Sequence, residues 1–484
     1  MTGMKPNLSS SESRLTARQM LTVAATSAGF VVCQLDVSIV NVALASIGHD
    51  LHASVASLQW TVDSYALAFS ALMLSAGSLG DRIGARRLFV GGLVLFALAS
   101  LACAFSRDAA QLIAARAVQG IGAAAMLPNS LALLNAACGH DPKLRARAVG
   151  LWTAAGSISI ASGPIVGGVL IAAFGWRSIF WVNLPICAAG ILATLVWIDK
   201  TRPHESSDKT GVDLPGQALA ILALTAFVGA VIEMRPLGLL HPLVLGGLAL
   251  AVVSAVGFIM VERRTRAPML PLTLFADRTF SAATVFGIGV NLTYYGMVFV
   301  LSLYLQRVLG HSPLQTGLAF LPLTGGFLLS NLASGPVVAR FGSRAPMIVG
   351  ALLDAVGFAA LMFVGPSTPT IALLLPFLLI PSGMGVAVPA MTTALLGTVD
   401  KRRAGTASAV PNTARQAAGA IGVAAFGALA GHAEGAAASA HIVDAVRWSA
   451  GISVALLVCG AFIARLVRNT GESAQCERRR EAIE

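Results

Sequence analysis

The feature that most constrains this chain is a succession of fourteen apolar runs separated by short polar loops. They fall at 20–46, 57–79, 88–106, 111–137, 148–173, 179–198, 214–234, 242–261, 280–306, 314–338, 346–365, 371–396, 404–430 and 445–467. A helix that crosses a bilayer needs about 20 mostly apolar residues. Backbone amides find no water in hydrocarbon, so segments of this length must satisfy themselves as helices. The expected fold class is an all-α integral membrane protein. Charge agrees, since 11% of the 484 residues are charged against roughly 25% in a soluble domain.

The net charge of +11 would suggest nucleic acid in a soluble chain, but no basic surface interleaved with aromatics is present. Of the 33 Lys and Arg residues, 26 fall in one alternating set of loops, five in the other and two inside runs. By the positive-inside rule both termini are cytoplasmic, and an even number of crossings is required. The first run, about 28 residues without a cleavage signature, is a retained helix rather than a signal peptide. The six cysteines form no CxxC pair, and His49 and His52 share a loop without a partner cluster. Neither metal nor cofactor is expected. No GxxxxGK[ST] occurs, so energy for pumping comes from an ion gradient or another subunit.

The chain repeats itself. Gly77–Arg86 (GSLGDRIGAR) lines up with Gly335–Arg344 (GPVVARFGSR), each following an apolar run, and Gly120-Ile-Gly122 echoes Gly383-Met-Gly385. Two similar halves suit a transporter. The division expected is a six-helix bundle over 1–198, a linker with two extra helices over 199–279, a second bundle over 280–468 and a disordered cytoplasmic tail over 469–484.

Ionisable groups inside spans are costly, roughly 2.5–3.5 kcal/mol each at mid-membrane. Here they are Asp36, Asp63, Arg116, Asp354 and Arg415, with Glu233 near a span end. A carboxyl group in a partly dry cavity holds its proton more tightly and can alternate between two charge states as access changes sides. Asp36 and Asp63 are candidates for that role or for substrate contact; the plainer alternative is that they tie helices together. Arg116 stays charged and needs a cavity or carboxylate, whereas Arg415 could snorkel. Asn41, Trp60, Tyr294 and Tyr295 are candidates for a substrate pocket.

The stretch GLWTAAGSISIASGPIVGG over 150–168 has small side chains along most of its length and no charge. Small residues let helices approach closely in lipid, and Pro164 bends the helix. The pattern Gly163-Pro164 with Gly167-Gly168 resembles the antiporter motif on the fifth helix of exporters in the major facilitator superfamily, with Ser159 where the family more often has Gly. QLDVSIVNVAL around Asp36, WTVDSYAL around Asp63 and NTARQAAGAIG around Arg415 resemble its fourteen-helix drug:proton antiporters, methylenomycin-type exporters included. Arg116-Ala-Val-Gln119 resembles the fourth-helix motif whose Arg is linked to proton transfer. Asp81, Arg82, Gly84 and Arg86 resemble the cytoplasmic loop motif that latches the gate.

The resemblance implies a major facilitator fold of two six-helix bundles plus two central helices. It also implies a non-enzymatic exporter of small amphipathic molecules driven by protons. Asp36, Asp63 and Arg116 would serve proton coupling; Asp81, Arg82, Gly84, Arg86, Gly163, Pro164, Gly167 and Gly168 would serve gating. Membrane lipid would surround a chain working as a monomer. A dedicated metabolite exporter, an uptake symporter and a non-transporting scaffold remain as alternatives.

Overall fold

The computed structural model describes residues 15–138, 142–199, 213–265, 270, 272–398, 404–431 and 436–469. The tail expected to be disordered lies outside them apart from Asn469. The first seven helices are α1 (Ala17–Asp50), α2 (Val55–Ile83), α3 (Ala85–Ala104), α4 (Ala109–Cys138), α5 (Pro142–Phe174), α6 (Ser178–Trp181) and α7 (Asn183–Trp197). Two follow in the middle, α8 (Leu214–Leu237) and α9 (Pro242–Arg264). The last seven are α10 (Arg278–Leu303), α11 (Pro313–Ala319), α12 (Leu321–Phe341), α13 (Arg344–Leu361), α14 (Leu374–Leu396), α15 (Ala404–Ala430) and α16 (Ala436–Ala464).

Local chemistry sets the helix starts. Thr16 and Gln19 form a capping box on α1, and the side chains of Ser54, Asp213 and Asp277 accept first-turn amides of α2, α8 and α10. Each satisfies a donor that the helix cannot. Four apolar runs are not single regular helices: α6 gives way to α7 at Val182, α11 to α12 at Phe320, α10 runs on into a π-helical turn over Tyr304–Val308, and a 3-10 turn over Thr370–Leu373 leads into α14.

Among the described residues, twelve spans are long and apolar enough to cross a membrane, against the fourteen runs of the sequence reading. Two long helices fall outside the twelve: α2, of 29 residues, carrying Gln59 and Asp63, and α15, of 27, carrying Asn412, Arg415 and Gln416.

The two sets of seven pack alike. Helix α1 lies on α5 and α7 as α10 lies on α15 and α16; α4 receives α2 and α3 as α14 receives α12 and α13. The repeated loops agree in backbone as well. Gly84 closes α2 with φ 98° and Gly342 closes α12 with φ 71°, a region that glycine enters without strain.

The halves meet where α2 packs on α15 and α5 on α11 and α12. Call the end with Arg82, Arg147, Arg264 and Arg340 the basic end. The tight cross-half contacts lie away from it. Gln59 donates to the carbonyls of Val423 (3.2 Å) and Ala424 (2.8 Å), Ser302 to that of Asn41, and Thr324 to that of Ala161 at 3.2 Å. Toward the basic end, a cross-half contact among the described residues is the long one from Asn412 Nδ2 to Met73 Sδ, 3.8 Å. Helix α8 is bonded to both sides of the α2–α15 seam. Gln217 donates to the Ala71 carbonyl (2.6 Å) and meets Ser75, and Arg235 donates to the Ala428 carbonyl at 3.0 Å. Helix α9 leans on α8.

Candidate functional site

Polar residues on four helices of the first half converge behind α1. Arg116 on α4 and Asp36 on α1, each 1% exposed, form an ion pair, with Nη1 donating to Oδ2 at 2.5 Å. The other Asp36 oxygen accepts from Gln119 Nε2 and Asn183 Nδ2, both at 2.9 Å. Both amides also donate to Ser100 on α3. Arg116 further donates to Gln119 Oε1 (2.6 Å) and to the Thr61 carbonyl (3.1 Å), and lies 4.4 Å from the Tyr65 ring centre. A pair taken out of water is tolerated when its remaining hydrogen-bonding capacity is filled, as here.

Two chambers lie side by side between the halves, sharing Gln34, Val37 and Tyr295. The first, against α5 and α12, has about 630 Å³ of empty space counting its mouth. Asn41, Pro164, Tyr294 and Tyr295 line it, and the two tyrosine rings stand edge to face at 5.4 Å. The second, of about 560 Å³ by the same measure, lies along the α2–α15 seam, with Asp63, Tyr65 and Arg116 on one side and Gln416, Gly419 and Val423 on the other. Asp63 is 0% exposed and neither carboxyl oxygen has a hydrogen-bond partner. It contrasts with Asp36, whose two oxygens accept three hydrogen bonds between them. A buried carboxylate without donor or cation is costly, and the neutral acid is far less so.

Of the proposed pocket residues, Trp60 is elsewhere. Its indole N–H donates to Glu233 Oε1 at 3.3 Å and its ring packs on Gly229 of α8, and it lines neither chamber. Asp36 also lines neither; Arg116 stands between it and the second chamber. The orientation of Trp60 follows from the neighbouring α8, which local sequence does not reveal. Neutral amides were the residues a search for ionisable groups passes over. Gln34 and Gln416 both line chambers, although each adjoins a stretch already notable for its charge.

The glycine stretch of α5 faces both halves. A Cβ on Gly163 would overlap Ser38 of α1, and one on Gly168 would sit 2.7 Å from Leu314 Cα of α11. Gly167 packs on Ile39, and across the interface a Cβ on Gly317 would overlap the Pro164 carbonyl. In the first turn of α3, Arg86 donates to the carbonyls of Thr194 (3.4 Å) and Leu195 (2.9 Å), capping the end of α7. Arg82 has interactions of its own, and the Asp81 side chain lies outside the described residues. Asp354 accepts from the Met384 backbone N–H at 2.9 Å, bracing α13 against α14. Arg415 Nε is buried without a partner. Among the described residues, no group of three or more His, Cys, Asp or Glu could hold a metal.

This architecture and its sequence have relatives. Residues 26–423 match the model of the Major Facilitator Superfamily. The chain is 38% identical over 407 residues to the methylenomycin A resistance protein of Streptomyces coelicolor, covering 84% of this chain and 85% of that one. It is 36% identical to the multidrug resistance protein Stp of Mycobacterium tuberculosis, covering 85% of this chain and 76% of that one. It is 33% identical to the tetracenomycin C resistance and export protein of Streptomyces glaucescens, covering 86% and 77%. The crystal structure of a D-xylose-proton symporter superposes with a TM-score of 0.66 at 16% identity, over 93% of this chain and 98% of that one. An all-helical transporter rather than an enzyme, the chain belongs to the Major Facilitator Superfamily.

Proposed function

We propose that the protein is a proton-coupled antiporter that exports small amphipathic drugs or antibiotics across a bacterial inner membrane. Helices α2 and α15 count as crossings, which makes fourteen in a six, two, six arrangement, with the basic end in the cytoplasm and a single chain as the working unit. The resistance and export names of its relatives support the direction. The observation that carries proton coupling is Asp63, a buried carboxyl without a partner in a cavity between the halves.

The cycle follows from where that group sits. With the far end open, a proton from outside neutralises Asp63. The neutral acid lets α2 close on α15, where Gln59, one turn further out on the same face, bonds two carbonyls. The cavity then serves the cytoplasmic side. The proton leaves through the second chamber past Arg116, a compound enters from the cytoplasm, and the ionised Asp63 no longer tolerates the dry seam. The halves rock, the far end opens and the compound departs. Asp36 holds Arg116 in place throughout. Gly163, Pro164, Gly167 and Gly168 form the close-packed pivot at which α5 meets α1 and α11. The Asp81–Arg86 loop latches the basic end when the far end is open. One charge falling through 100 mV yields about 2.3 kcal/mol; since about 1.4 kcal/mol is tenfold in ratio, one proton supports more than tenfold expulsion of a neutral compound.

The test is proton release from everted vesicles, read by a pH-sensitive dye, on adding a panel of amphipathic compounds. A compound-dependent response should appear with the wild type and vanish in Asp63→Asn. An undiminished response in that variant would remove Asp63 from the cycle.

A further inference from the structure

Resting on the export reading, and extending it to the substrate, we propose that the transported compound is uncharged. It is a flat aromatic or polycyclic molecule carrying carbonyl or hydroxyl oxygens, held in the first chamber, and organic cations are rejected. The chamber is an apolar, aromatic-lined space with a few amides and hydroxyls on its wall, the composition usual for a small-molecule site. No Asp, Glu, Lys or Arg lines it. Tyr294, Tyr295, Phe320 and Phe327 make its wall aromatic, which suits a flat apolar ring system. Gln34 makes no hydrogen bond among the described residues, and Asn41 spends one amide hydrogen on the Val37 carbonyl, so both have capacity for a neutral polar group.

A cation would need a carboxylate, and none faces this chamber. Asp36 is committed to Arg116, Gln119 and Asn183. Asp354 stands behind Met384 and accepts its N–H. Asp63 opens into the other chamber, beyond the shared wall of Tyr295. A cation without an ion-pair partner among the described residues lies near that wall. Arg415 lies one helical turn from Gly419, where an added Cβ would touch the Tyr295 ring at 3.1 Å. Its field opposes a second cation. Substrate and proton therefore use adjacent chambers and compete through movement of the halves, not for one carboxylate.

The experiment measures binding to the purified full-length protein in lipid nanodiscs, with no gradient, using three probes of one shape. These are 2-methylanthraquinone, its aminomethyl analogue as cation and anthraquinone-2-carboxylate as anion. Val298→Trp and Leu323→Trp, on different helices, fill the first chamber and provide the correction for lipid partition. The neutral probe should bind at least tenfold tighter than the cation and lose binding in both tryptophan variants. A cation or anion that binds as tightly as the neutral probe overturns the proposal, as does persistence of neutral binding in both tryptophan variants. Binding without proton release in the vesicle assay would instead refute the antiport reading and leave the chamber assignment standing.

Discussion

At the residue scale the two membrane aspartates of the first half behave as opposites. Asp36 is fully bonded and Asp63 bonds to nothing. Removing one partner of a buried pair costs about 3–5 kcal/mol because the other is stranded. Asp36→Leu should therefore lower the thermal unfolding midpoint of the purified protein markedly, while Asp63→Leu should leave it unchanged or raise it, since an unpartnered acid gives way to an apolar side chain. Both should abolish compound-driven proton release. A loss of stability in Asp63→Leu equal to that in Asp36→Leu would show that Asp63 has a structural partner. The sequence identifies Asp36, Asp63 and Arg116 because charge in an apolar run is conspicuous. Which carboxylate pairs with Arg116 depends on how α1, α2 and α4 are rotated against one another, and an apolar run with no strong polar face carries little information on rotation. For the same reason Trp60 reads as a pocket residue although α8 claims it.

At the element scale, the apolar runs and their punctuation are legible in the sequence. The internal breaks are not, because a π-turn at Tyr304–Val308 or a step at Phe320 shifts backbone hydrogen bonds without changing polarity. Nor does sequence reveal what the two middle helices do. Helix α8 touches the first half through Gln217, Ser75, Trp60 and Glu233, and the second through Arg235. It packs on both, but most of its hydrogen bonds go to α2, so α8 should travel with the first half. A cysteine crosslink between positions 71 and 217 should leave export intact, whereas one between 235 and 428 should stop it. The reverse result would assign α8 to the second half. The α5–α11 junction gives a second prediction. Gly317→Ala places a methyl against the Pro164 carbonyl, and the far end should no longer close. Export should fall at least tenfold, with expression retained and Ser302→Cys in this background labelled by an impermeant thiol reagent from outside; no labelling with normal export would make the close approach dispensable.

At the scale of the whole molecule, function requires that the two seams never open together. The described cross-half hydrogen bonds are concentrated away from the basic end, and Gln59 makes two of them, donating twice to α15 beside Gly427. Asp63 lies one turn below it on the same face of α2. In the proposed cycle, closing that seam buries both residues together, so the bonds of Gln59 form only when Asp63 is neutral, and the far gate and Asp63 act as one mechanical unit. This predicts an asymmetry between two crosslinks. A cysteine pair at 59 and 424 should hold the closed far end. Bound anthraquinone probe should still be measurable, and Asp63 should no longer exchange protons with the outside, so proton uptake driven from that side should cease. A pair at 73 and 412 should hold the basic end shut and stop entry of compound from the cytoplasm, while leaving Asp63 open to protons from outside. In each case reduction of the crosslink should restore export. If the 59–424 crosslink left proton exchange from outside untouched, protonation of Asp63 and closure of the far gate would be separate events, and coupling would have to run through the Asp36–Arg116 pair instead.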